Sequence, residues 1–471
     1  MKLFSLRLTT LKSKLYAIVF ASFVVRVVAF FTLPNSVSSL GPDEGTYSIA
    51  AEWTALGKSA NEFPAYGAGL YEAGKSFLLP AAFFNKVGLS PLDSVRIAAS
   101  LYSLLLISFI VMITLKSIEN LDRFKEFAER QPRIILGLFV IFTFAPGRFL
   151  WSILGLREST VEFWTICVFG ILFLIFHLQK KVSILTICGV IFSIVMLFGA
   201  RPQVGWAVGG TALLYVFFKL RERIARILMP VIVGGMFIGY VGTIPSQPQE
   251  FVAIAISSGS TTEVLPTVQE DANELCKEGV GWVSSNGLEF KCAVKKSSVI
   301  NPGILLSEPV NLADRISSKH EVNKLGAASF IKTIACPNGG NTKFDNYFCL
   351  LYRAPYSVFT FLFRPIILVD TTSQKSLYGA VENIFWLSAF LFIVIMSIRN
   401  GRLAFFSQLT PPLLFATIYS IFASAYEGNM GTAFRHKSLI LWVVLLLIAS
   451  TIVATQQRKA EQQGISGSSQ E

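Results

Sequence analysis

The sequence predicts an all-α polytopic membrane protein with about ten transmembrane helices, and three observations predict it. Of the 471 residues, 53% are hydrophobic and only 15% are charged, against roughly 25% charged in a soluble globular chain; the mean hydropathy is +0.57. Apolar runs approaching the ~20 residues that cross a bilayer recur along the chain. The basic residues between those runs fall in alternate connections. This composition excludes a soluble enzyme, a disordered protein, a disulfide-knot toxin and a collagen-like rod.

The runs lie near 15–33, 95–115, 134–152, 160–178, 182–199, 203–218, 227–245, 381–398, 404–423 and 437–455. Several are short, which suggests tilted helices or helices broken near their ends. The first is too long for a signal peptide and lacks a clear small-residue cleavage site, so it reads as a retained span. Lys2, Arg7, Lys12 and Lys14 precede it, and Lys116, Arg123, Lys125, Arg130 and Arg133 follow the second. Lys180 and Lys181 follow the fourth, and Lys219, Arg221, Arg223 and Arg226 the sixth. Arg399 and Arg402 follow the eighth, and Arg458 and Lys459 the last. The positive-inside rule makes that side cytoplasmic. Both termini are then cytoplasmic in a multi-pass plasma (inner) membrane protein. The net charge of +12 is a topology signal, and no basic face is left over for nucleic acid.

The chain divides into a membrane region 1–245, a large outer segment 246–380, C-terminal spans 381–455 and a polar tail 456–471 read as disordered. The first outer loop, 34–94, and the segment 246–380 face outward. Cys276, Cys292, Cys336 and Cys349 all fall in the latter, while Cys167 and Cys188 sit in apolar runs. Four outer cysteines read as two disulfides, Cys276–Cys292 with Cys336–Cys349 being the short-range choice among three pairings. A zinc site is the weaker reading, without a CxxC and with His320 the only nearby histidine. The outer loops contain no Asn-x-Ser/Thr acceptor, which favours a bacterial or archaeal source.

Gly41-Pro42 punctuates a turn after the first span, and Asp43-Glu44 follows where a helix should start. A helix over about 44–56 would group Tyr47, Ala50, Ala51 and Thr54 on one face and lie along the membrane surface. The plain reading of Asp43 and Glu44 is helix capping. The sharper one is a carboxylate base at the outer face, kept ionised by the helix N-terminus. Two acids can also hold a divalent cation, although one pair is too few to specify it, and nothing in the sequence requires a cofactor. Arg148, Arg157, Arg201, Arg364, Arg435, His436 and Lys437 break the positive-inside pattern at the outer ends of runs. Singly, each reads as snorkelling or paired with an acid such as Glu158. Together, they read as cations around one outer cavity that binds phosphate. Arg26 lies inside the first run, and 355–369 reads as a short aromatic interfacial helix bounded by prolines. A Walker-A loop, a Gly-x-Ser-x-Gly elbow and a His-Glu-x-x-His are absent from the sequence.

The layout resembles the multi-span GT-C glycosyltransferases that use lipid-linked sugars. It is similar in particular to the bacterial branch related to protein O-mannosyltransferases and lipid A aminoarabinose transferases. The carriers are a first span with Arg26, then Pro42-Asp43-Glu44 with Tyr47, then Asp93-Ser94-Val95-Arg96. Leu154-Gly155-Leu156-Arg157-Glu158, Phe361-Leu362-Phe363-Arg364-Pro365 and Gly431-Thr432-Ala433-Phe434-Arg435-His436 resemble pieces of bacterial relatives found among polysaccharide genes. Large members of the family often carry a soluble C-terminal domain, where this sequence has an enlarged 246–380 loop. The resemblance implies an inverting glycosyltransferase with a polyprenyl-phosphate sugar donor and an extracytoplasmic glycan, lipid or protein acceptor. It implies Asp43 as catalytic carboxylate with Glu44 as its partner, and Tyr47 with the outer cations as the substrate- and phosphate-binding set. A polymerase or ligase acting on polyprenyl-diphosphate glycans, and a non-catalytic flippase or scaffold, are the competing expectations.

Overall fold

The computed structural model describes residues 2–38, 43–58, 65–179, 182–241, 254–256, 282–285, 288–291, 343–366, 374–400, 406–426 and 430–468. The described chain is overwhelmingly helical, as its hydropathy requires. Backbone N–H and C=O groups facing lipid must be satisfied within their own segment. Sixteen helices follow in chain order among the described residues: α1 (Lys2–Thr32), α2 (Asp43–Ala55), α3 (Ala65–Lys86), α4 (Pro91–Asn120), α5 (Asp122–Arg130), α6 (Pro132–Phe144), α7 (Pro146–Ile153), α8 (Glu158–Phe173), α9 (Ile184–Phe198), α10 (Pro202–Phe218), α11 (Arg223–Val241), α12 (Lys343–Phe363), α13 (Gln374–Asn400), α14 (Phe406–Tyr426), α15 (Met430–Lys437) and α16 (Leu441–Ser468). Three short strands depart from the all-helical expectation. β1 (Ile254–Ile256), β2 (Trp282–Ser285) and β3 (Leu288–Lys291) form an antiparallel sheet of order β1-β3-β2, with Ile254 and Trp282 both opposite Lys291.

Each apolar run coincides with a helix over its described residues, but the helices are unequal. Among the described residues, six are long and apolar enough to cross a membrane: Thr10–Thr32, Pro91–Asn120, Glu158–Leu178, Arg223–Tyr240, Gly379–Arg399 and Ala433–Gln456. The run 134–152 is not one rod. It breaks at Ala145-Pro146 into α6 and α7, bent by 46°, and counting that pair as one span gives seven. Proline lacks the N–H that would continue the ladder and disfavours helix in the residue before it. Ile184–Phe198 and Thr410–Ala425 are shorter apolar helices. Large apolar side chains such as Phe20, Val28, Phe31, Phe192, Phe237 and Ile398 point outward from the bundle, as lipid-facing positions do.

The expected surface helix is α2, and it buries Tyr47, Ala50 and Ala51, the face its spacing picks out. It packs on α3 and α4, where Phe77, Ala81, Val95 and Ala98 complete a small core. Helix α3 stands where the sequence reading drew no element. Its middle is pinned by Ser76, whose N–H donates to Gly199 O at 3.1 Å and whose carbonyl accepts from Tyr102 Oη at 2.7 Å. Of the segment 355–369 expected as a short interfacial helix, residues 355–363 form the second half of α12, with Pro355 inside the helix, and 367–369 lie outside the described residues.

The main core surrounds α8. Val161, Val168 and Leu172 pack with Ile194, Leu197, Val204, Val208 and Phe415. The rings of Phe169, Phe415 and Trp442 stack around its middle, with centroids 5.4 to 6.3 Å apart. A second cluster joins Leu11, Ile118, Phe127 and Ile452. It gathers the start of α1, the end of α4 and the late part of α16 at one end of the bundle. Arg96 lies near the start of α4, at the opposite end of that helix from Ile118, and so belongs to the other end.

Gly155 turns the chain from α7 into α8. Its φ of +61° favours glycine, and a Cβ there would sit 2.7 Å from Val95 Cγ2. Gly155→Ala should lower stability by about 1–3 kcal/mol from the backbone conformation alone. Thermal unfolding of the purified protein in detergent checks this, as does the same substitution at Gly210, where a Cβ meets nothing within 4 Å and stability should hold.

Candidate functional site

Adjacent acids on a helix point about 100° apart, so Asp43 and Glu44 cannot share one task. Glu44 points inward and is fully buried. Arg96 grips it with two bonds, Nε to Oε1 at 2.6 Å and Nη2 to Oε2 at 3.2 Å, and the Ser38 N–H donates to Oε2 at 3.1 Å. The same guanidinium donates to the carbonyls of Pro34 at 2.8 Å and Ser36 at 3.1 Å. Glu44 and Arg96 therefore brace the exit of α1, the start of α2 and the start of α4. A bidentate arginine–carboxylate pair fixes orientation as well as distance.

Asp43 points outward, its side chain 48% exposed, and accepts from Arg435 Nη1 at 2.6 Å. These two residues are 392 positions apart. Beneath them lies Glu158, at the first position of α8 and buried. Its Oε1 is 3.8 Å from Arg201 Nη2 and 4.0 Å from His436 Nε2. Arg435, Arg201, His436 and Arg157 all act electrostatically on this carboxylate. Arg157 donates to Ala200 O at 3.3 Å, and its guanidinium carbon lies 5.8 Å from the centre of the Tyr47 ring. Burial pushes the Tyr47 phenol above its ordinary value, with the nearby acids Glu158 and Asp43 adding to the rise against Arg157 and Arg201, so the hydroxyl is a neutral hydrogen-bonding group. Among the described residues, three guanidiniums and an imidazole thus face two carboxylates.

Local sequence explains each placement. Gly155 delivers Arg157 and Glu158 to the start of α8. Arg201 caps α10, with Pro202 at its first position, on the turn to which α3 is pinned. The consecutive Arg435, His436 and Lys437 fan out around α15. Arg435 reaches Asp43 and His436 reaches Glu158, while Lys437 turns away. Lys437 is fully buried, donating to Asn383 Oδ1 and to Leu362 O at 3.4 Å, with Phe434 and Trp386 rings 5.0 and 5.6 Å from its Nζ. Arg364 directly follows α12, and the carbonyl of the next residue, Pro365, accepts from Asn383 Nδ2 at 2.7 Å.

The structure therefore brings together Asp43, Tyr47, Arg157, Arg201, Arg435 and His436 at one end of the bundle. It puts Glu44 in the Arg96 brace and Lys437 beside Asn383. Cys276, Cys292 and Cys336 lie outside the described residues, and so does the pairing expected for Cys349, which sits in α12. Cys167 and Cys188 are free. Among the described residues, no group of three or more His, Cys, Asp and Glu is placed to hold a metal ion.

Sequence reasoning treated Glu158 only as a counter-charge and passed over two further braces. Glu382 accepts from Gly147 N at 2.6 Å and from Trp386 Nε1 at 3.2 Å, tying α13 to the start of α7. Arg148 grips Glu162 at 2.8 and 3.0 Å, and Arg26 donates to Ser103 at 2.8 Å and Ser152 at 3.0 Å beside it. The signal for both was an acid within the first turn of an apolar run, where burial demands a partner. Comparison with known proteins gives no match to a family model, to a curated protein or to a solved structure.

Removing one partner of the buried brace should be expensive. Glu44→Ala should cost about 3–5 kcal/mol, and Glu44→Ala with Arg96→Ala should recover part of that loss. Asp43→Ala, which breaks a half-exposed pair, should cost about 0–1 kcal/mol. The three melting curves, measured side by side, check the division of labour between the two acids.

Proposed function

We propose that the chain is an inverting glycosyltransferase of GT-C type. It moves a sugar from a polyprenyl-phosphate donor to an extracytoplasmic glycan, lipid or protein acceptor in cell-envelope or polysaccharide biosynthesis. The observation that carries this reading is the half-exposed Asp43 carboxylate on Arg435, beside Arg157, Arg201 and His436 gathered around Glu158. A bundle with lipid-facing apolar side chains suits a substrate whose tail stays in the membrane. In this reading about ten helices, the shorter apolar ones included, cross the plasma membrane. Both termini are cytoplasmic, the Asp43 end faces outward, and the 246–380 segment meets the acceptor.

The chemistry follows from the charges. The acceptor hydroxyl oxygen attacks the anomeric carbon and its proton passes to Asp43. The bond between that carbon and the phosphate oxygen breaks, and the polyprenyl phosphate leaves with the electron pair. Negative charge grows on the leaving phosphate, and Arg435, Arg201 and Arg157 stabilise it from fixed positions in a desolvated site. One displacement inverts the anomeric centre. No nucleotide is needed, because the lipid phosphate is the activating group. Glu44 contributes by holding α2, and therefore Asp43, in register with α4.

With purified protein in nanodiscs and a polyprenyl-phosphate sugar, Asp43→Asn should lower turnover by about 10²–10⁴-fold with an unchanged melting curve. Near-normal turnover of Asp43→Asn, with loss in Arg435→Ala, would favour a polymerase or ligase driven by arginines on diphosphate-linked glycans. Tight binding of the donor without cleavage of its glycosyl bond would favour a flippase or scaffold.

A further inference from the structure

Helix α15 is only eight residues long and carries both Arg435 and His436. So short a helix does not hold its own orientation, and its contacts must set which way each side chain faces. Successive residues stand about 100° apart, which puts Lys437 about 200° from Arg435 but only about 60° from Phe434. One face of α15 therefore carries Phe434 and Lys437, and the opposite face carries Arg435. The Phe434 face is closely packed. A Cβ at Gly147 would come within 3.1 Å of the Phe434 ring, and one at Gly379 within 3.6 Å. On that face the fully buried Lys437 ammonium donates to Asn383 Oδ1 on α13 and to Leu362 O on α12. Asn383 is itself fixed, its Nδ2 donating to Pro365 O at 2.7 Å. The neighbouring Glu382 accepts from Gly147 N at the start of α7. A methionine would fill the same space without desolvating a charge; what the ammonium adds is a set of directed donors.

We propose that Lys437 is a positioning residue. By tying one face of α15 to α12 and α13 it fixes the rotation of that helix, and so aims Arg435 at Asp43 and His436 at Glu158. Its consequence for binding rests on the reading of the cluster as a lipid-phosphate site, whereas the geometry stands apart from that reading. Lys437 then serves the phosphate through Arg435, although its place in the sequence groups it with the other outer cations. A rotation of α15 by one residue's worth, about 100°, would swing Arg435 away from α2 and open its 2.6 Å pair with Asp43.

Two measurements on the full-length protein in nanodiscs test this. In the first, Asp43→Cys and Arg435→Cys are joined by a short bis-maleimide, and the peptide linking the two positions is quantified by mass spectrometry below the melting temperature. Adding Lys437→Met should lower the yield about fivefold or more, whereas Lys437→Gln, which keeps two amide donors, should stay within about twofold. In the second, polyprenyl phosphate is bound by chains that keep Asp43 and Arg435. Its affinity should weaken about tenfold or more in Lys437→Met and by about twofold or less in Lys437→Gln. Unchanged linking in Lys437→Met overturns the inference even where the melting temperature falls, because the residue is then purely structural. Wild-type phosphate affinity that survives Lys437→Met intact overturns it as well. So do equal losses in Lys437→Gln and Lys437→Met, since charge rather than directed bonding is then at work. Should Lys437→Met fail to fold, Asn383→Leu removes the α13 acceptor alone and must lower linking in the same way; unchanged linking there is the contradicting result. Linking that follows the expected order, in a wild type that binds no polyprenyl phosphate, keeps the positioning role and removes the phosphate site.

Discussion

Three arginines and a histidine gathered around the single buried carboxylate of Glu158 form the interaction on which the rest of this end of the molecule depends. The cations come from the turn before α8, the start of α10 and helix α15, and Arg435 extends the group to Asp43 on α2. Like charges at this spacing repel strongly wherever water is excluded. They stay together because Glu158 lies between them, and because the backbone segments that carry them are anchored independently.

The anchors are the other buried polar groups. The Glu44–Arg96 brace holds α2 on α4, Glu382 holds the start of α7 on α13, and the Arg148–Glu162 pair with Arg26 ties α7 to α8, α4 and α1. Every one of these acids is saturated by donors, so each resists displacement and specifies one arrangement. Aromatic packing adds to them, as where the Trp151 and Phe434 rings meet edge to face at 6.1 Å between α7 and α15. Rigidity in the surroundings is what allows an under-bonded carboxylate to persist at the centre.

Much of this was legible in the sequence, because the governing physics is one-dimensional. Apolar runs become helices wherever lipid forbids unpaired backbone groups, and the spacing of Tyr47, Ala50 and Ala51 announces the buried face of α2. Basic residues on the wrong side of the charge pattern pointed to Arg157, Arg201, Arg435 and His436, which do converge. What stayed hidden depends on direction and long-range pairing. Lys437 follows His436 in sequence but projects to Asn383, because one residue is about 100° of helix. Glu44 looked like a twin of Asp43 until Arg96, 52 residues away, claimed it. Helix α3 was missed because glycines and charges interrupt its apolar pattern. The bend between α6 and α7 was misread as one run because proline was not weighed against hydropathy.

The most direct measurement is the affinity of the protein in nanodiscs for polyprenyl phosphate, compared between Arg435→Ala and Arg130→Ala. Arg130 is an exposed cation in α5, a helix packed at the far end of the bundle, and serves as the control for general loss of charge. A phosphate site at the Asp43 end predicts at least a tenfold loss in Arg435→Ala and none in Arg130→Ala. Unchanged binding in Arg435→Ala, or equal losses in both variants, would contradict it.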